Sequence, residues 1–522
     1  VSPVLPRPAQ QWRPGADKRA VWHPGAPGAA SDERRHHVVV VGGGIAGLAA
    51  ATGLAERGVR VTLLEREAQL GGRVRAWPVE AGGTATTMSR GFHAFFRQYY
   101  NLRALLGRSD PGLSRLVPVV DYPLSLKDGP TDSFTSVPRQ PPLNIAAFVA
   151  RSPSFRLRDL AAVDVDAAMG LLDVSFPRTF TDHDGTSAAE VLDRLNFPHA
   201  ARHLALEVFA RSFFADPRDF SGGELVGMFH AYFLGSAEGL LFDVPDDDYD
   251  TSLWAPLGRH LTGLGVDLRT GVEVEGVADS AGGVVVTAGG EAVDADAVVL
   301  ATDRAPLQRL VSGAPWLGDA AWRERLAGLG HAPRFAVWRL WLDRPVAAGT
   351  PPFLATSGHG PLDNVSALEL FESGARAWAT AHGGSVVELH AYAVPDGTSD
   401  EELRAELRAE LSALHPELDG AEVVHEEWLV RDDCPLVGTD PWATRPGVVT
   451  PDPRVVLAGD GVRCALPVAL MERAATTGWQ AASALLDGWG VAGHGLWTVP
   501  VEPRHRVVPP LRRALARVPA LR

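Results

Sequence analysis

The sequence predicts an α/β fold: a Rossmann-like nucleotide-binding domain assembled from discontinuous segments, plus a mixed α+β substrate domain. Three observations carry this. A Val-rich run near residue 40 leads into a glycine loop and a second strand ending in an acid. Two more runs of buried-strand type, Ala297 to Thr302 and Arg454 to Asp460, recur hundreds of residues later. Between them lie helical periods and alternating strands of a different character.

The first unit is the most informative. Val38 to Val41 read as a strand buried on both faces and run directly into Gly42-Gly43-Gly44-Ile45-Ala46-Gly47. Gly42 permits the tight turn, Gly44 lets a pyrophosphate approach the backbone, and Gly47 lets the next helix pack on the strand. A helix from Leu48 to Arg57 then aims free N–H groups and its positive dipole end at phosphates. Gly58 ends it. Val59 to Leu64 form a second buried strand, with Glu65 at its tip to accept hydrogen bonds from a ribose diol. Leu70-Gly71-Gly72-Arg73 follows, a second backbone approach to phosphate with a cation beside it.

The chain has 522 residues, 46% of them hydrophobic, enough for a large core and more than one domain. A net charge of −14 argues against a nucleic-acid partner. Lys18 and Lys127 are the only lysines, which points to a GC-rich coding sequence. Cys434 and Cys464 form no disulfide framework and no metal pattern, so no metal is expected and an intracellular setting is the default. No apolar stretch approaches the ~20 residues needed to cross a bilayer. The first 35 residues are rich in Pro, Ala, Gly and Arg and read as a disordered leader.

Residues 36–110, 251–310 and 431–488 are expected to supply the nucleotide domain. Residues 111–250, largely helical, and 311–430 are expected to supply the substrate domain, and 489–522 a basic tail. Phe92, Phe95, Phe96, Tyr99 and Tyr100 crowd into nine positions of a chain with only 7% aromatics. They either line an apolar slot, stack near a flat ring, or pack as core. Phe197 to Phe242 reads as mostly helical, with Leu204/Val208, Ala205/Phe209, Met228/Tyr232 and Phe229/Phe233 at helical spacing. Asp246 to Asp250 is a solvated turn or, less economically, a base or metal ligand. Phe335 to Leu342 and Val386 to Tyr392 suit paired strands, and Ser399 with Glu402 makes a capping box. A helix after Met471 presents its N-terminus to a carbonyl of a bound ring. In the tail, Leu511, Leu515 and Val518 share a helical face among arginines, which suits an anionic membrane surface or a frayed end.

Together these pieces resemble the flavin-dependent carotenoid desaturase branch of the amine-oxidase superfamily. The carrying residues are Gly42 to Gly47, Glu65-Arg66, Gly71-Gly72-Arg73, His93 to Leu102, and Gly459-Asp460 with Met471-Glu472. His93 to Phe96 followed by Tyr99 to Leu102 is similar to the plant-type desaturases. Ser89 to Leu106, and Ala210 to Pro217 through Asp250, resemble the bacterial β-carotene desaturase/methyltransferases, the isorenieratene synthases. The resemblance spans about Val38 to Leu486. It implies FAD as cofactor, with Ala46, Glu65, Arg66, Arg73, His93, Ala94, Tyr99, Asp460 and Met471 at matching binding positions and Val274 meeting the adenine through its backbone. The interval from Asp460 to Met471 is one residue longer than in the plant-type enzymes, which leaves Met471 open to a shift of one position.

The resemblance also implies a carotenoid substrate, a quinone or oxygen as final electron acceptor, and a cytoplasmic enzyme peripherally associated with the inner face of the cell membrane. A β-ring must lose two pairs of hydrogens and shift a methyl from C1 to C2 to become aromatic. Gly42 to Gly47 is the one nucleotide loop in the sequence, so the shift is expected to be intramolecular. Phe92, Phe95, Phe96, Tyr99, Phe229 and Tyr232 are candidates to face a cationic ring, and His93 and His230 to take its proton. The rivals are a desaturase or isomerase of linear carotenes, an oxidase of amines or other polar substrates, and a flavin carrier without turnover.

Overall fold

The computed structural model describes residues 13–135, 137–154, 163–196 and 213–515. Its nucleotide-type layer is a five-stranded parallel sheet. The strand order is Asp267–Thr270, Arg60–Glu65, His37–Val41, Ala297–Leu300 and Val455–Leu457. Three distant stretches of chain therefore build one sheet. His37–Val41 is buried throughout, as a strand covered on both faces must be.

The helix after the glycine loop spans Ile45–Ala55, three residues earlier than the periodicity predicts, and is buried from Ile45 to Leu54. It packs against the long helix Leu470–Gly488. Small residues make this possible. A Cβ on Gly47 would lie 1.9 Å from the Gly42 carbonyl oxygen, and one on Gly478 would lie 2.2 Å from that of Ala46. Gly42 itself has φ +106°, open to glycine and costly for other residues.

A seven-stranded sheet forms the second layer, ordered Val423–Arg431, Phe335–Leu342, Ser385–Ala391, Asn364–Ala367, Phe353–Ser357, Leu124–Leu126 and Thr131–Asp132. Phe335–Leu342 pairs antiparallel with Ser385–Ala391, as the sequence pattern predicts. Ser399 and Glu402 form the capping box of helix Asp400–Leu414. Val274 opens the strand Val274–Ser280.

Several expectations change. Residues 13–35 are not a disordered leader: Val21–His23 pairs with Leu496–Thr498, joining the two ends of the chain. Asp17 is buried, accepts from Arg504 at 2.8 Å, and also receives the amide of Ala237. Arg504 is therefore not a free cation of a basic tail, and Arg512 is bound to Asp166 and Asp173. The region 111–250 is less helical than expected, because Leu124–Leu126 and Thr131–Asp132 extend the large sheet. Helix Gly222–Phe229 continues as a π-helical turn, His230–Leu234, which shifts the helical face by a residue. Leu204, Ala205, Val208, Phe209, Ala210 to Ser212 and Val518 lie outside the described residues.

The buried Asp17–Arg504 pair gives a direct test of the joined ends. Arg504→Met leaves the Asp17 carboxylate uncompensated and should destabilise the protein by about 3–5 kcal/mol, read as a lowered unfolding temperature. An unchanged midpoint would contradict the pairing.

Candidate active site

A cleft opens at the carboxyl ends of the parallel strands, where α/β sheets place their ligands. It encloses about 350 Å³ and is walled on one side by the glycine loop and on the other by the seven-stranded sheet. Gly42, Gly44, Ala46, Glu65, Arg66, Gly72, Arg73, His93, Ala94, Tyr99, Val274, Asp460 and Met471 all line it. Residues from three remote parts of the sequence thus meet in one space. Gly47 sits behind the lining, where its missing Cβ lets the helix close on the loop.

The loop geometry explains why the glycines are there. Gly71 donates its amide to the Gly43 carbonyl at 2.8 Å, and Gly44 bridges to Gly71, so the two glycine turns form one backbone surface. The first intrahelical bond runs from Leu48 to Gly44. The amides before it have no intrahelical acceptor. No acidic side chain occupies that first turn, so the positive end of the helix is left for a ligand anion.

Glu65 accepts the Gly43 amide at 2.6 Å and the Glu67 amide at 2.8 Å. Burial raises its pKa, and those two amides oppose the shift. Its carboxylate is thus already oriented by the loop, with further lone pairs available to a diol. Arg73 differs from expectation. It donates to Asp460 and lies 3.1 Å from Asp303, so two carboxylates outweigh its burial and hold its pKa above the ordinary value. The cation is a tie between three chain segments as well as part of the cleft wall.

At the other end, Glu472 accepts the amides of Asn101 and Leu102 at 2.8 and 2.9 Å, fixing helix Tyr100–Leu106 to the start of helix Leu470–Gly488. Leu470 enters that helix at φ 53°, an uncommon conformation for a branched residue, and lines the cleft beside Met471.

One of the two proton-transfer candidates, and two of the aromatic candidates, lie away from the cleft. His230 is 1% exposed and bonded to the Pro500 carbonyl at 2.6 Å, away from the cleft. Tyr99 shares its hydroxyl with Tyr232 at 2.8 Å, and burial pushes its pKa well up. Phe229 and Tyr232 are core residues behind the cleft lining. His93 does line the cleft. Its Nδ1 donates to the Gly91 carbonyl at 2.8 Å, and burial lowers its pKa to about 4, so it stands neutral. Phe92 stacks on Phe353 at 4.4 Å and meets Phe242 edge-on at 5.7 Å, forming an aromatic wall. Asp248 caps the following turn through the amides of Asp250 and Thr251, Asp246 pairs with Arg115, and no metal-holding group occurs among the described residues.

The model of the family described as flavin containing amine oxidoreductase matches residues 45–486. The chain belongs to that family. It is 54% identical over 477 residues to "Carotenoid phi-ring synthase" of Streptomyces griseus, covering 91% of each chain. It is 28% identical to "Carotenoid phi-ring synthase" of Chlorobaculum tepidum, covering 85% of this chain and 87% of that one. An oxidoreductase of Methanosarcina mazei superposes with a TM-score of 0.61 at 18% identity, over 85% of this chain and 99% of that structure. These matches agree with an α/β flavin-type fold and make the chain a flavin-dependent oxidoreductase. The cleft fits such a cofactor: a glycine backbone surface with unpartnered amides at one end, an oriented carboxylate beside it, and an aromatic wall at the other.

The sequence reading missed the sheet side of the cleft: Asp363, Asn364, His390 and Tyr392. A signal was present, since Glu388 and His390 alternate along one strand and Tyr392 continues the same spacing just past its end.

Glu65→Ala removes the acceptor for Gly43 and should weaken flavin retention by about 2 kcal/mol, roughly thirtyfold, measured as the flavin content of dialysed protein. Full retention would show that this carboxylate does not organise the loop for the cofactor.

Proposed function

We propose that this chain is an FAD-dependent carotenoid oxidoreductase that desaturates the β-ring of β-carotene with a 1,2-methyl shift, giving an aromatic, isorenieratene-type end-group. The observation that carries the reading is the 54% identity to a carotenoid phi-ring synthase across nine-tenths of both chains. The aromatic wall of the cleft supports it.

In this reading the backbone of Gly42, Gly44 and Ala46 receives the pyrophosphate, and Gly47 serves it by letting the helix close on the loop. Glu65 and Arg66 hold the adenosine ribose, and Val274 meets the adenine. Gly72, Arg73, His93, Ala94, Tyr99, Asp460 and Met471 surround the remainder. When bound, the flavin supplies an acceptor for hydride at N5. The protein does the rest. Its apolar lining binds a hydrocarbon by burial, at ~25 cal/mol per Å². Phe92 and its aromatic neighbours exclude water and face a cationic ring, at roughly 0.5–2 kcal/mol per contact. The methyl passes from C1 to C2 of the same ring, so no methyl donor is needed.

Such a substrate resides in a bilayer, so attachment at a membrane surface follows, with electrons passing on to quinone or oxygen. No helix among the described residues is long and apolar enough to cross a membrane. Arg504 and Arg512 are engaged in internal ion pairs, which removes them from the set of membrane-binding cations.

Expressed in cells that make β-carotene, the chain should yield a pigment four hydrogens lighter per processed ring, with an aromatic end-group by mass and absorption. A linear desaturated or isomerised carotene would replace this reading. Methyl-labelled S-adenosylmethionine should leave the ring unlabelled. Phe92→Leu keeps an apolar side chain but removes the aromatic face, and should keep the flavin content while lowering aromatic product about tenfold. An unchanged yield would remove Phe92 from the ring-facing wall.

A further inference from the structure

The chemistry proposed above ends with a carbon acid that must lose a proton inside an apolar cleft. The seven-stranded sheet presents a connected set of groups to that cleft. Arg339 and Glu388 are direct cross-strand partners, as are His390 and Asn364. Arg339 donates twice to Glu388 Oε2, at 2.9 and 2.6 Å. Glu388 Oε1 lies 2.8 Å from His390 Nε2, His390 Nδ1 lies 2.8 Å from the Tyr392 hydroxyl, and Asn364 Nδ2 donates to that hydroxyl at 3.0 Å. Tyr392, at the end of the series, lines the cleft with Phe92, Asp460 and Met471.

The direction of this chain of bonds is fixed by its first member. Glu388 is fully buried and opposite a guanidinium. Burial alone would raise its pKa, but Arg339 and His390 outweigh it and bring it to about 2, so the carboxylate is ionised and can only accept. His390 Nε2 must then carry the proton, because a bare Nε2 would set its lone pair against the carboxylate. The Phe92 N–H also points at this nitrogen, from 3.2 Å, and would favour a bare Nε2; the shorter contact, 2.8 Å to an ionised carboxylate that can only accept, decides the proton's place. With Nε2 protonated, neutral Nδ1 is an acceptor and the Tyr392 O–H donates to it. Asn364 then donates to the phenol oxygen from its other side. The imidazole ring cannot swing away: a Cβ on Gly91 would lie 2.5 Å from its Cε1, so the backbone lies directly against it.

We propose that Tyr392 is the catalytic proton acceptor of the ring-aromatising step, with His390 and Glu388 as the positioning groups that take up its proton. The proposal rests on the aromatisation reading. After the methyl shift the ring carries its positive charge at C1. The C2–H electron pair becomes the C1–C2 π bond of the arene, and the C2 proton goes to the Tyr392 oxygen. In the same movement the Tyr392 hydroxyl proton passes to His390 Nδ1. The imidazolium is held by the Glu388 carboxylate, and Arg339 keeps that carboxylate ionised between turnovers. Charge is conserved: a cation and a neutral relay become a neutral arene and a protonated relay. The proton returns by the same path once the product has left. Of the two histidines first considered for this step, His230 points elsewhere, and His93 has its Nδ1 proton on the Gly91 carbonyl rather than on a carboxylate.

Tyr392→Phe deletes one oxygen and keeps the ring. In β-carotene-containing liposomes it should retain flavin and still bleach it anaerobically. Aromatic product should fall at least a hundredfold, and non-aromatic, partly oxidised rings should accumulate. The wild type should show a solvent deuterium isotope effect on aromatic product, and the variant should lose it. His390→Gln should lower aromatic product in the same way. Independently of turnover, ¹⁵N NMR of the resting protein should place the His390 proton on Nε2, in the wild type and in Tyr392→Phe alike. Wild-type product rates from Tyr392→Phe, or a proton found on Nδ1, would overturn the assignment. A wild type that bleaches with β-carotene yet never forms an arene would overturn the aromatisation reading, and with it the role of Tyr392, while the NMR result still reports the bond polarity by itself.

Discussion

The structure depends on two close backbone approaches made by one helix. The helix after the glycine loop must lie against the strand that precedes it and against the long C-terminal helix at once. Gly47 and Gly478 each stand where a single added carbon would meet a carbonyl oxygen at about 2 Å. Because both contacts are satisfied, residues near position 45 and position 475 belong to one rigid unit. The carboxyl ends of their strands then open on the same cleft. The Arg73 pairs with Asp303 and Asp460 close the third side of that arrangement. Ion pairs alone would be a weak way to hold three segments, since removing charge from water offsets much of their attraction. Here they sit on a frame that packing has already fixed.

That frame was legible because each of its parts has a local signature. A four-valine strand, glycines at the turn and an acid at the next strand tip follow from backbone geometry and need no knowledge of remote contacts. Helix Leu470–Gly488 and the capping box at Ser399 were legible for the same reason. What the sequence concealed is what depends on distant partners. Val21–His23 looks like part of a polar, proline-rich leader, and becomes a strand only because Leu496–Thr498 is there to pair with it. Arg504 looks like one cation of a basic tail until Asp17 is placed beside it. Leu124–Leu126 is too short to stand out and joins the large sheet only through Phe353–Ser357, more than two hundred residues later.

The candidate site divides along the same line. The nucleotide side came from motifs and is gathered into one cleft. The sheet side did not, because its members are ordinary residues made informative by register. Glu388 is meaningful opposite Arg339, and His390 opposite Asn364, and neither pairing can be read from one strand alone. His230 shows the converse error. It sits among aromatics at helical spacing, yet the π-helical turn points it toward the Pro500 carbonyl.

The balance of charge in the cleft argues for a particular kind of chemistry. Three ion pairs line or back the cleft: Arg73 with two aspartates, Arg90 with Asp433, and, behind the lining, Glu388 with Arg339; Glu65, at the nucleotide end, is held by amides alone and keeps its charge for the ligand. His93 is neutral, and the tyrosine hydroxyls are held protonated by burial. A cleft built to bind an ammonium ion or a carboxylate would leave one charge uncompensated and aimed at the ligand. This one instead surrounds its aromatic wall with matched pairs. Such a site neither attracts nor rejects a neutral hydrocarbon. In the reaction proposed above, when positive charge develops on the bound ring, the faces of Phe92 and its neighbours and the oxygen of Tyr392 are the groups proposed to respond. Stabilisation that arises only as the charge develops lowers the barrier without tightening the ground state, which is the form of binding that speeds a reaction.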